Sequence, residues 1–152
     1  MLKKLFYNSL FCIIILIQTG PLGALFAQTG SFSIFNSDNS IIGDNRINVV
    51  LVDQNVKWVG SAWGLYSFND NFWVDHSFSL PNQQVRCLSV DNNGYLWVGT
   101  LGGGVVYDGE SWAAFEGGPY NSQINSIVFN NEGVAFVGTI DGLYKYDDSW
   151  SL

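Results

Sequence analysis

The sequence predicts an all-β fold, a partial β-propeller of about three four-stranded antiparallel blades. Three observations carry that expectation. A glycine-centred stretch occurs three times, as Trp58-Val59-Gly60-Ser61, Trp97-Val98-Gly99-Thr100 and Phe136-Val137-Gly138-Thr139, with 39 residues between successive glycines. Each copy sits among four short β-rich runs separated by polar turns, with no helical periodicity between them. Bulky aromatics recur at fixed offsets, where they would fill the space between stacked blades.

Taken in order, Met1 to Ala27 reads as an export signal outside the fold. Lys3 and Lys4 form its basic start, Leu5 to Ile17 its apolar stretch, and Ala24 to Ala27 the small residues before a cut ahead of Gln28. Asn8, Ser9, Gln18 and Pro21 keep the apolar run short of the roughly 20 residues that a membrane anchor needs. No membrane span is expected in the mature chain, which would be exported, periplasmic or secreted. Gln28 to Asn39 reads as one outer strand. The blades then cover about residues 40–78, 79–117 and 118–152, within a repeat region of 28–152.

Each repeat opens on apolar residues at spacing three (Ile47 and Val50; Val85 and Leu88; Ile124 and Ile127), as an inner strand. A tight turn follows, clearest in Asp91-Asn92-Asn93-Gly94 and Asn130-Asn131-Glu132-Gly133, where Asn and Gly tolerate positive φ. The first repeat is one residue shorter here and needs a different turn. The second strand ends in the Val-Gly pair, and a glycine corner leads to Leu65–Phe68, Val105–Tyr107 or Leu143–Tyr146. A fourth run is headed by Trp73, Trp112 or Trp150. Inner strands covered on both faces explain apolar runs such as Val49-Val50-Leu51-Val52.

Composition removes several function classes. Aromatic content of 16% and hydrophobic content of 47% support a core, while a net charge of −7 argues against a nucleic-acid partner. Cys12 lies in the signal, so Cys87 alone remains and no intrachain disulfide can form. His76 is the one histidine, which leaves no multi-histidine metal site and no serine–histidine triad by pattern; it reads as a solvated loop residue. Cys87 reads as a small core hydrophobe. Gly102-Gly103-Gly104 lacks the Lys-Ser/Thr of a phosphate loop, and Asp91–Gly94 lacks the distal glutamate of a calcium loop. No catalytic residue, metal or cofactor is expected; the chain is not expected to be an enzyme.

The pattern Ile-x-x-Val-x-x-Asp, then Gly-x-Leu-Trp-Val-Gly-Thr, then three glycines and a Tyr-Asp-Gly-x-x-Trp close resembles the two-component regulator propeller repeat. It covers about residues 31–152, strongest in the second repeat and loosest in the first, where Trp63 occupies the glycine corner. The resemblance implies the periplasmic sensor of a bacterial hybrid two-component system, many of which respond to oligosaccharides. It implies a ligand-sensing module acting by binding, with the kinase output on other sequence. The competing reading is a secreted structural or scaffold propeller without signalling output. Streptogramin-type lyases share such repeats but need a histidine base and a metal, for which only His76 is available. Family propellers carry more blades, so two arrangements fit: a truncated sensor, favoured by the stop inside the strand at Trp150, or a protomer that completes a ring by self-association.

In the layout of such propellers, ligands meet the loops leading into each inner strand and the glycine corners. The residues at those offsets are Arg46, Gln84 and Gln123, then Asn48, Arg86 and Asn125, with Trp63 and Asp141 at the corners. Amides, arginines and a loop tryptophan suit an oligosaccharide ligand, whose rim takes hydrogen bonds and whose ring face stacks. The competing reading is that the same residues are ordinary loop and channel residues that satisfy backbone groups.

Overall fold

The structure, a computed structural model, describes residues 33–151; the expected signal segment, residues 1–27, lies outside them. Three four-stranded antiparallel sheets follow one another along the chain, each in simple meander order. Blade 1 holds β1 (Ile47–Asp53), β2 (Val56–Ser61), β3 (Gly64–Phe68) and β4 (Trp73–Asp75). Blade 2 holds β5 (Val85–Val90), β6 (Leu96–Thr100), β7 (Gly103–Tyr107) and β8 (Trp112–Ala114). Blade 3 holds β9 (Ile124–Phe129), β10 (Ala135–Thr139), β11 (Leu143–Tyr146) and β12 (Trp150–Ser151). The partial propeller of about three four-stranded blades is thus the observed architecture.

The turns explain the sheet order. Asp91 closes the β5–β6 hairpin by accepting the Asn93 and Tyr95 N–H groups on Oδ1, at 2.8 and 2.9 Å. Asn130 does the same for Glu132 and Val134 in blade 3. Only the glycine uses left-handed backbone, with φ of 83° at Gly94 and 86° at Gly133; Asn93 does not need it, because the Asp91 side chain already holds the loop. The shorter first turn places Gln54 at φ 50° and pairs Asp53 directly with Val56.

Blades meet through the recurring glycines. A Cβ on Gly60 would stand 2.5 Å from Val85 Cγ1, and one on Gly99 would stand 2.6 Å from Ile124 Cγ2. The Val-Gly pair therefore exists so that the first residue of the next inner strand can enter the sheet before it. Val85 and Ile124 are accordingly fully buried. Aromatics fill the outer half of each junction: Trp58 lies 6.0 Å from Tyr107, and Trp97 lies 5.4 Å from Tyr146.

Two expectations change. Ser33–Phe35 form no strand and Asn36–Asn39 turn back, so the part of the expected outer strand 28–39 that is described is loop. This segment instead lies on blade 1, with Phe35 against Phe68 and Trp73 at 5.2 and 5.5 Å. Ile42 is buried beside Val59 and Tyr66, and the Gly43 N–H donates to the Tyr66 hydroxyl. Likewise β1 is not covered on both faces: Val50 and Val52 are 58% and 65% exposed, because no blade precedes them among the described residues.

Candidate functional site

The turns between β2 and β3 and the connector from β4 to β5 enclose an open cleft of about 690 Å³ between blades 1 and 2. Arg46, Trp63 and Gln84, three of the eight residues expected to bind ligand, line it together with Phe78, Asn82 and Leu101. Trp63 is 58% exposed because its corner is held from below: its N–H donates to Ser61 Oγ at 3.0 Å, and its carbonyl accepts the Tyr66 hydroxyl. Phe78 rides on a one-turn 3-10 helix, Ser77–Ser79, and is 93% exposed. Asp75 fixes that turn by accepting the Ser77 N–H at 2.8 Å.

Arg46 is tied to Asp44, with Nε–Oδ1 at 3.0 Å and Nη2–Oδ2 at 2.8 Å. The pairing holds the Asp44 carboxyl below, and the Arg46 guanidinium above, their usual values. The cleft therefore offers planar donors and ring faces with its one guanidinium already balanced. Such a surface suits a neutral polar molecule better than an anion.

The other expected residues do not line the cleft. Asn48, Arg86 and Asn125 each fall where the register of an inner strand slips, between Ile47 and Val49, between Val85 and Cys87, and opposite Gly138–Thr139. Asn48 Nδ2 donates to the Val85 carbonyl at 2.7 Å, a staple from blade 1 to blade 2 rather than a free ligand contact. Gln123 Nε2 donates to Asn125 Oδ1 at 2.7 Å, so one bond joins these two amides. Asp141 accepts the Ser122 hydroxyl, and Arg86 stays exposed outside the cleft. Phe78 was not foreseen; an aromatic in a polar connector just ahead of Pro81 was the available signal.

His76 is not a solvated loop residue. Its Nε2 shares a 2.9 Å hydrogen bond with Ser67 Oγ, and its ring lies 5.0 Å from Trp58, 5.9 Å from Tyr107 and 5.8 Å from Trp112. Burial lowers its pKa from the ordinary 6.5, against the pull of Asp75. Cys87 is partly covered beneath Gly99, and burial pushes its thiol up to about 11, so it is no nucleophile near neutral pH. A second cleft of about 670 Å³ lies between blades 2 and 3 at the other end of the sheets, lined by Tyr95, Trp97 and Trp150 among others. None of the expected ligand residues reaches it. Among the described residues no His/Cys/Asp/Glu group is placed to hold a metal, and no helix is long and apolar enough to cross a membrane.

An array of propeller blades with its cleft at a blade junction is the class this geometry defines. Residues 79–102, from the connector through β6 to the glycine corner, match the family model described as two component regulator propeller. That match falls on the second repeat, where the sequence resemblance was strongest. Among solved structures, one described as the extracellular domain of a hybrid two component system from B. thetaiotaomicron superposes with a TM-score of 0.64 at 21% identity, over 78% of this chain. That likeness shows the fold, and the chain spans 16% of that structure's length. None of the curated proteins matches.

Proposed function

We propose that the chain is a sensor-type ligand-binding module, exported to the periplasm or beyond, that takes an oligosaccharide in the cleft between blades 1 and 2. The observation that carries this is the pair of exposed rings, Trp63 and Phe78, facing a cleft whose polar groups are Arg46, Asn82 and Gln84. Sugar ring faces stack on aromatics while hydroxyls take the planar donors. The module acts by binding, not catalysis, and passes its state on through the junction between blades rather than through chemistry. Its open faces join it to further repeats. The scaffold reading is favoured by one observation, the exposed Tyr120, Ile140 and Leu143 on blade 3, which would suit a protein partner.

Titration calorimetry against a panel of neutral plant and host oligosaccharides tests the site. Trp63→Ala and Phe78→Ala are each expected to weaken binding about tenfold or more, roughly 1.4 kcal/mol. Arg86→Ala, outside the cleft, should leave it unchanged. Equal loss in all three variants, or in none, would overturn the assignment of this cleft.

A further inference from the structure

The cleft of about 670 Å³ between blades 2 and 3 is an internal feature, and each of its walls is a complete four-stranded blade. Its floor is aromatic. Trp97 and Phe115 are buried there, and the half-buried rings of Tyr146 and Trp150 rise beside them, with Trp150 5.1 Å from Phe115 and 5.0 Å from Tyr146. Tyr95, 41% exposed, stands at the mouth. The β8 wall presents Ala113 and Ala114 where β4 has Val74 and Asp75, 39 residues earlier, so room remains above the rings.

Acidic residues rim this groove, and most of them are uncommitted. Asp91 holds its own turn and accepts the Trp97 indole N–H at 3.2 Å, and Asp147 accepts Lys145 Nζ at 2.8 Å. Glu116, Glu132 and Asp148 are exposed and enter no ion pair among the described residues. The repeat itself does not call for them, because the positions 39 residues earlier hold the uncharged Ser77, Asn93 and Gly109. They are also spread out. Glu132 and Asp148 sit in the hairpin turns at one end of blade 3, whereas Glu116 follows β8 at the opposite end of the sheets. Ring faces beside unpaired carboxylates attract a cation carried on an apolar stem, which packs on the rings while its head meets a carboxylate. One cation cannot meet Glu116 and Glu132 together. Side chains of an extended segment can, since alternate residues project to one side about 7 Å apart.

We propose that this groove docks an extended basic segment of a partner protein. Its arginine or lysine stems lie on Tyr95, Tyr146 and Trp150, and their cationic heads meet Glu132, Asp148 and Glu116. Charge complementarity selects this occupant: a neutral or acidic segment would cover three carboxylates and give them no partner. The net charge of −7 on the chain steers such a segment in, and the rings fix where it settles. The groove is separate from the cleft between blades 1 and 2, so it stands whether or not a sugar binds there.

Fluorescence anisotropy of the full chain with a dye-labelled peptide alternating arginine and serine reads the docking. The salt is set at about 0.15 M, where charges more than roughly 8 Å apart are screened. Micromolar binding is expected, and none for the same peptide with citrulline in place of arginine. Glu116→Gln with Glu132→Gln should weaken binding about tenfold, and Tyr95→Ala about threefold. Asp38→Asn with Asp53→Asn removes the same charge from outside the groove and should leave binding within about twofold. Trp63→Ala, in the other cleft, should dock the peptide as wild type does. Circular dichroism melts that match wild type show the variants to be folded. Equal weakening by the two charge pairs would reduce the effect to net charge and overturn the proposal. So would a wild type that binds no arginine peptide, or spermidine displacing the peptide at equal concentration, which would make the ligand a free polyamine.

Discussion

The two blade junctions are built on one plan and filled differently. Between blades 1 and 2 the outer space holds His76 hydrogen-bonded to Ser67; between blades 2 and 3 it holds Phe115 beside Val106. The pairs are equivalent: 39 residues separate His76 from Phe115 and Ser67 from Val106. The backbone bond is also kept, from the His76 N–H to the Leu65 carbonyl at 2.9 Å and from the Phe115 N–H to the Gly104 carbonyl at 3.0 Å. Position is thus fixed by the ladder, while the side chain is free to set the chemistry of the joint. The junction bordering the proposed ligand cleft is the one that holds the histidine, and His76 is followed directly by Ser77 and Phe78, which line that cleft.

The largest expected effect comes from filling the glycines at the blade junctions. Gly60→Ala and Gly99→Ala each drive a methyl into the following blade and should cost about 1–3 kcal/mol in urea unfolding, as overpacking does. Gly138→Ala, where no following blade sits among the described residues, should cost less than either. Equal losses at all three positions would mean that the glycines serve their own strands rather than the junctions.

A middle-sized effect should follow from making the first junction like the second. His76 has a folded-state pKa below its unfolded value, so the unfolded chain takes up the proton first and stability falls as pH drops below about 6.5. Ser67→Val with His76→Phe removes that dependence. Melting curves from neutral to mildly acidic pH should then run flatter than wild type, with the difference vanishing above neutrality. An unchanged acid slope would place the titrating group elsewhere.

The smallest effect concerns the staple. Asn48→Ala deletes the bond to the Val85 carbonyl and should cost roughly 1 kcal/mol, the usual net worth of such a bond. Asn125→Ala, whose partner Gln123 lies two residues before it in the same blade, should cost less. A reversed order in chemical denaturation would show that the bond between blades carries no weight.

The fold was legible because a 39-residue period repeats a whole blade, so strands, corners and aromatic positions could be counted from Gly60, Gly99 and Gly138. The described part of the expected outer strand, residues 33–39, was misread because an isolated apolar stretch looks the same whether it pairs with a strand or lies flat on a sheet, as Phe35 does. The cleft taken as the candidate site was legible in part. Offsets identify which loops share an end of the sheets, which gave Arg46, Trp63 and Gln84. They do not say which amide is consumed by a neighbour, so Asn48, Gln123 and Asn125 were indistinguishable from free ones until their partners were seen. His76 was misjudged for a related reason: its aromatic surroundings come from two blades, and the distance between Trp58 and Trp112 in the chain conceals their proximity.

The bulges at Asn48, Arg86 and Asn125 have a consequence for how such a protein can change. Each lifts one residue per repeat out of the ladder at the same place. A substitution there asks nothing of strand pairing, and the three positions already hold two residue types of different charge and length. Descendants of a duplicated blade can therefore vary these sites one at a time, acquiring new contacts at the strand's start while every copy goes on folding by the same rules.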